Sequence, residues 1–362
     1  MYTYLIYNFI LFMSTLIAYF YEKKKDKRMK NILYNIVFLI PFFFLSIRYN
    51  IGNDYINYVN YFDRISHGEI ILKEPGYIFI NYIISYMNMN VQWLFVIFGF
   101  FYLLFSFKAL PKKGFALGIF LLISISYLYE GFSAIRQGLV VAMLTYALHS
   151  VAKDSLLKYL IWIGIASLFH LITAFLFLLA YPMVKIKLNK YISILIVLGL
   201  FFAIQFTHIS ESIFSLTATL FPRYAWYLNN IEYAGVAKTS MGLLGPIVKI
   251  SIVLPIFYYQ DSIIKKFSKA QVIINFTLLY IISYIFHLKI SIFGRVEHAF
   301  VLAYIIAIVY FVYTFRSYTR LLIIYFIGLF YYLMFMRYII NGTLEVNNDV
   351  LINPYQTIIF DK

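Results

Sequence analysis

Long apolar blocks alternate with short polar stretches along this chain, and most of the polar stretches are basic. Blocks near 4–21, 31–47, 91–107, 114–130, 134–151, 191–208, 243–260, 270–288, 298–315 and 321–337 each approach the ~20 helical residues that cross ~30 Å of hydrocarbon. They predict an all-α, polytopic integral membrane protein of roughly 10–12 transmembrane helices, broken ones included. No internal repeat and no low-complexity linker interrupts the pattern, so residues 1–362 read as one membrane domain. The first block runs into Glu22 and a lysine cluster without a small-residue cleavage site. It reads as a spanning helix and not as a signal peptide.

Two stretches break the pattern. Gly76 to Asn90 precedes a complete span, and its polar positions Asn81, Ser85 and Asn88 form one helical stripe, as on an interfacial or half-inserted helix. The stretch 159–183 is too short for two crossings, since each arm would reach only roughly 17–20 Å. A single crossing would carry Lys185, Lys187 and Lys190 to the wrong side. A re-entrant or broken pair with its tip near Ser167–His170 satisfies both limits, provided that protein or a cavity surrounds it.

Charge then orients the helices. The formal net charge of +15 would suit a nucleic-acid partner, but the lysines sit in short runs between apolar blocks: Lys23–Lys25, Lys112–Lys113, Lys185–Lys190, Lys265–Lys269. That is the positive-inside pattern, with anionic lipid as the partner and no nucleic acid. Both termini and the loops 49–75 and 209–242 then lie on the outer side. So do Arg48, Arg64, Arg136, Arg223, Arg295 and Arg337. The topology rule accounts for the lysines but leaves these arginines unexplained. A planar guanidinium suits phosphate or carboxylate, either as a ligand or as an outer acidic side chain. A shared anion would draw Arg48, Arg136 and Arg295 to one cavity. With no cysteine, disulfides and thiolate sites are excluded, and the histidine spacing makes no metal motif.

Candidate chemistry gathers in the outer segments. Arg48 ends a span, Gly52-Asn53 forms a turn, and Asp54 either caps the next helix or faces a site together with Arg48 and Tyr55. Glu74-Pro-Gly-Tyr77 closes that loop. Ser133 is placed to cap the helix that carries Arg136 and Gln137 in its first turn. The positive helix end disfavours a cation there unless Glu130 or a bound phosphate offsets it. His170 lies at the tip of the 159–183 pair, as base or hydrogen-bond donor. Arg223 lies among aromatic rings suited to sugar faces, and Arg295 faces Glu297 or a substrate. Asn341–Thr343 is a formal but incidental sequon.

Arg48-Tyr-Asn-Ile-Gly-Asn-Asp54-Tyr55, Glu74-Pro-Gly-Tyr77, Ser133-Ala-Ile-Arg136-Gln137, Leu168-Phe-His170, Arg295 and Pro354-Tyr355 together resemble, in order and spacing, the EpsG family of Wzy-type exopolysaccharide and O-antigen polymerases. The resemblance implies a multi-pass enzyme of the bacterial inner membrane. It would join undecaprenyl-diphosphate-linked oligosaccharide repeat units at the outer face, for O-antigen, capsule or exopolysaccharide. A flippase and a chain-length regulator of the same pathway are the implied partners. Neither metal nor cofactor is expected, because preorganised arginines can stabilise the leaving diphosphate. Arg48, Arg136, Gln137, Arg223, Arg295 and Tyr55 would bind diphosphate or glycan. His170, Asp54 and Glu74 remain alternatives for the base that takes the acceptor proton. An O-antigen ligase, a membrane acyltransferase or a flippase of lipid-linked glycans would place similar residues at a membrane face.

Overall fold

The computed structural model describes residues 2–148, 155–207, 219, 244–290, 292–341 and 352–359, and every regular element among them is a helix. Arg223, His208, most of the loop 209–242 and the Gly-Thr of the 341–343 sequon lie outside the described residues. Contacts divide the chain into two compact units, Met1–Leu179 with Phe315–Lys362, and Ala180–Thr314.

Unit 1 begins with α1 (Tyr2–Lys23) and α2 (Lys27–Ile47), an antiparallel pair joined by a short basic turn. Asp26 caps α2 by accepting from the Met29 amide at 2.7 Å. Phe9, Phe12 and Leu16 on α1 and Leu39 and Phe43 on α2 are exposed, a surface that hydrocarbon can cover. In the expected outer loop 49–75 lies α3 (Tyr55–Ser66), which packs against α4 (Pro75–Tyr86) just after it. At 12 residues each, about 18 Å, neither can cross a bilayer, as expected for the second. Next come α5 (Gln92–Ala109), α6 (Phe115–Ser124), α7 (Tyr127–Ser133) and α8 (Ile135–Ala147). Glu22 accepts from the Phe115 amide at 2.6 Å, so a carboxylate of α1 satisfies the positive start of α6.

The block expected at 114–130 is not a straight span. It breaks at Ser126, which takes φ +67°, and α6 and α7 meet at a 47° bend. The anticipated hairpin is present as α9 (Leu156–Ser167) and α10 (Leu171–Leu179). The Tyr159 hydroxyl donates to the Phe177 carbonyl at 3.2 Å across 18 residues. A continuous helix would hold them about 27 Å apart, so the arms run antiparallel. The unit closes with α17 (Ser317–Asn341) and a C-terminal segment whose Thr357 pairs antiparallel with Arg48.

Unit 2 holds α11 (Pro182–Lys185), α12 (Lys190–Phe206), α13 (Leu244–Tyr258), α14 (Gln260–Lys266), α15 (Ala270–His287) and α16 (Phe293–Val312). Its centre is the α15–α16 pair, where Tyr280 stacks on Tyr304 with ring centroids 4.4 Å apart. Among the described residues, six helices are long and apolar enough to cross a membrane: α1, α2, α5, α15, α16 and α17. Each of the bent pairs α6–α7 and α13–α14 adds one more if counted as a span. The blocks expected at 134–151 and 191–208 form described helices of 13 and 17 residues.

Candidate functional site

Four of the sequence motifs meet in unit 1. Backbone geometry brings them together first. Gly52 takes φ +93°, and a Cβ there would fall 2.4 Å from the Phe132 carbonyl oxygen. Only glycine tolerates both the conformation and the approach. The Asn53 amide next to it donates to Ser133 Oγ at 3.3 Å. Ser133 therefore does not cap α8, because its side chain serves the Gly52–Asn53 turn and Ala134 holds the cap position. The Gly76 amide likewise donates to the Leu168 carbonyl at 2.8 Å, and a Cβ there would meet that oxygen at 2.8 Å. The hairpin tip thus rests on the start of α4.

Arg48 is fully buried. It donates to the carbonyls of Leu45 and Phe132, both at 3.2 Å, and lies over the rings of Phe95 and Phe132 at 4.4 and 5.2 Å. Its backbone is held on two sides. Gln92 donates to its carbonyl at 3.1 Å, while Tyr49 and Ile358 bind across to Gln356 and Ile47. Tyr355 completes this corner by donating to the Phe44 carbonyl at 2.8 Å. Tyr55 stacks on Phe95 at 4.9 Å and is buried. Both residues stand inside the packing, and the sequence alone gave no sign of this.

Arg136 and Gln137 occupy the first turn of α8, as their spacing predicts. The anion beside Arg136 is Glu74, not Glu130: guanidinium and carboxylate form a part-buried ion pair. The Arg136 guanidinium also lies 5.0 Å from the Tyr77 ring and hydrogen-bonds the Tyr58 hydroxyl. Burial pushes the Tyr58 phenol up to about 12, Asp54 adds to this, and Arg136 opposes it. Burial raises Tyr77 too. Both phenols stay neutral at physiological pH and can donate hydrogen bonds. Arg136 Nε is buried without a hydrogen-bond partner, an orphaned donor of the kind a ligand oxygen satisfies.

The three base candidates differ. Asp54 holds the N-cap position of α3 but makes no side-chain cap bond, and its Oδ1 accepts from Asn57 at 3.2 Å. Glu74 is taken by Arg136. His170 Nδ1 lies 3.3 Å from the Thr173 amide and 2.9 Å from Thr173 Oγ1. An amide can only donate, so Nδ1 carries the lone pair and the ring proton sits on Nε2. In this tautomer His170 presents an N–H donor at Nε2.

Arg295 belongs to unit 2, where it is exposed in the first turn of α16. The partners of Glu297 are Lys249 at 2.9 Å and His287 at 2.7 Å. Lys249 also lies over the Tyr284 ring at 3.7 Å. This cluster was not anticipated as a unit. The available signal was a lone lysine inside an apolar block, which in a membrane protein marks function or pairing. Tyr58 and Phe95 likewise escaped notice, since single aromatic residues in such a chain carry no signal.

A family model described as the EpsG family matches residues 31–357 of the chain. No curated protein and no solved structure matches it.

Proposed function

The chain belongs to the EpsG family, and from that premise we propose that it is a Wzy-type polymerase of exopolysaccharide, capsule or O-antigen. Its donor is a polyprenyl-diphosphate-linked repeat unit at the outer face of the bacterial inner membrane. Membership places the protein in exopolysaccharide biosynthesis, and its apolar helices make it integral to a membrane. The observation that carries the proposal is Arg136. It sits at a helix start, where backbone amides already favour an anion, with Nε unpartnered and two neutral phenols beside it.

In this proposal the diphosphate engages Arg136 at the first turn of α8. Positive charge fixed before the reaction stabilises negative charge as it develops on the leaving group, so no divalent cation is required. Glu74 holds the guanidinium in place until the anion arrives. Gln137 and the Nε2–H of His170 supply further donors in unit 1. Arg48 and Tyr55 act by positioning, since both are sealed within packing that fixes the Gly52 turn against Phe132. Arg223 and Arg295 contact glycan.

The test is extension of lipid-linked repeat units by the purified full-length protein with a chelator present. A ladder of longer lipid-linked glycans is expected. Transfer only to a different acceptor lipid would make the protein a ligase, and movement across vesicles without new glycosidic bonds would make it a flippase.

A further inference from the structure

Glu74 stands at the N-cap of α4 yet makes no cap hydrogen bond. Two amides near that position cannot serve it. Pro75 has no amide hydrogen, and the Gly76 amide donates to the Leu168 carbonyl at 2.8 Å. The carboxylate turns instead to Arg136, and it does so through one contact, Oε2 with Nη1. A guanidinium and a carboxylate can form two parallel hydrogen bonds, and here they form one. Both partners keep capacity for a ligand. Among the described residues Glu74 Oε1 accepts no hydrogen bond, and Arg136 Nε is buried without a partner. The Glu74 side chain is 20% exposed, so a ligand can reach it. Asp54 and His170 are engaged elsewhere, with Asn57 and with Thr173. A single-contact pair open to water exchanges readily for an anion of higher charge, which a diphosphate is.

We infer that Glu74 is a base held idle by Arg136: the donor diphosphate takes over the guanidinium, and the released carboxylate accepts the proton of the acceptor sugar hydroxyl. The inference rests on the polymerase reading of this site. The acceptor hydroxyl oxygen bonds to the donor's anomeric carbon. The anomeric carbon–oxygen bond to the diphosphate breaks, and its electron pair leaves on the diphosphate. The hydroxyl proton passes to the Glu74 carboxylate and then to water, after which Arg136 closes on Glu74 again. The base is thus set free only where a donor is bound, and it starts in contact with the group that receives the leaving charge. The Gly76–Leu168 contact, two residues along, fixes the start of α4 from which Glu74 reaches.

The experiment compares the parent with Glu74→Gln in two measurements. One is polymer formation from the host's lipid-linked repeat units in membranes holding equal amounts of each protein. The other is binding of farnesyl diphosphate to each purified full-length protein. The glutamine carbonyl can still accept from Arg136, so the substitution keeps that hydrogen bond and removes the base and its charge. A positioned base typically contributes 10²–10⁴-fold, so turnover should fall by roughly 100-fold or more. Farnesyl diphosphate should bind the variant at least as tightly as the parent, because the competing carboxylate is gone. Retained binding also shows that the variant is folded. If binding and polymer formation fall together, Glu74 only holds Arg136 in place and the inference is overturned. Polymer formation at the parental rate overturns it too. A parent that binds farnesyl diphosphate but forms no polymer overturns the polymerase reading itself, an outcome distinct from failure of the variant alone.

Discussion

Among the described residues, each unit of this protein holds one part-buried carboxylate in an ion pair, and the two are built differently. In unit 1, Glu74 meets a guanidinium, and the groups come from short helices beside the close backbone contacts of Gly52 with Phe132 and of Gly76 with Leu168. In unit 2, Glu297 meets an ammonium and an imidazole, all three on long or bent apolar helices. A guanidinium grips oxygen through a planar fork, so its site depends on angles that close backbone contacts maintain. An ammonium is a point charge that needs only proximity. The difference separates a geometric site from an electrostatic one, and it predicts which kind of substitution each tolerates.

The largest effect should come from removing the point charge. Lys249→Met leaves Glu297 with only His287 in a poorly solvated place, and breaking a buried pair costs about 3–5 kcal/mol. Thermal unfolding of the purified protein should show the loss. Glu297→Gln on top of Lys249→Met should recover part of it, because no uncompensated charge then remains. Absence of recovery would mean that packing and not charge holds this corner.

Next is Gly52→Ala, which combines a left-handed backbone with a collision against the Phe132 carbonyl. Together these should cost about 2–4 kcal/mol and raise protease sensitivity around the turn. An unchanged digestion pattern would place the rigidity of unit 1 elsewhere.

Arg136→Lys tests geometry against charge most directly. It keeps the cation, yet polymer formation should fall by roughly 100-fold, about 2.7 kcal/mol, since an ammonium cannot reproduce the fork. The loss should appear in turnover if the guanidinium meets the developing leaving group. Parental rates at matched abundance would make Arg136 structural.

The smallest effect is expected from Tyr159→Phe. It removes one hydrogen bond between the arms of the hairpin and should cost about 1 kcal/mol without altering the rate of polymer formation. A larger loss would show that the hairpin, and not the glycine contacts, holds His170 in place.

Much of this architecture was legible in the chain. The apolar blocks follow from the length of helix that hydrocarbon demands, and the break expected within 159–183 is seen in the Tyr159–Phe177 bond that joins its two arms. Arg136 in a first turn was a local matter of spacing, so it too was readable. Its anion was not: the sequence pointed to Glu130 or a bound phosphate, and only the docking of α4 brought Glu74 to the guanidinium. The break at Ser126 was hidden as well, because a continuous apolar run records the length that must be buried and not the angle at which it is buried.

Sequence by itself determined the solvent each helix must meet and the residue types available at its ends, because hydrophobicity and charge are properties of single side chains. Tertiary structure alone decided that Arg48 is sealed between Phe95 and Phe132, that Ser133 serves a turn 80 residues away, and that Lys249, His287 and Glu297 share one place. It also decided the chemistry of the two histidines. A ring proton goes where the other nitrogen's partner allows, and those partners are an amide for His170 and a carboxylate for His287.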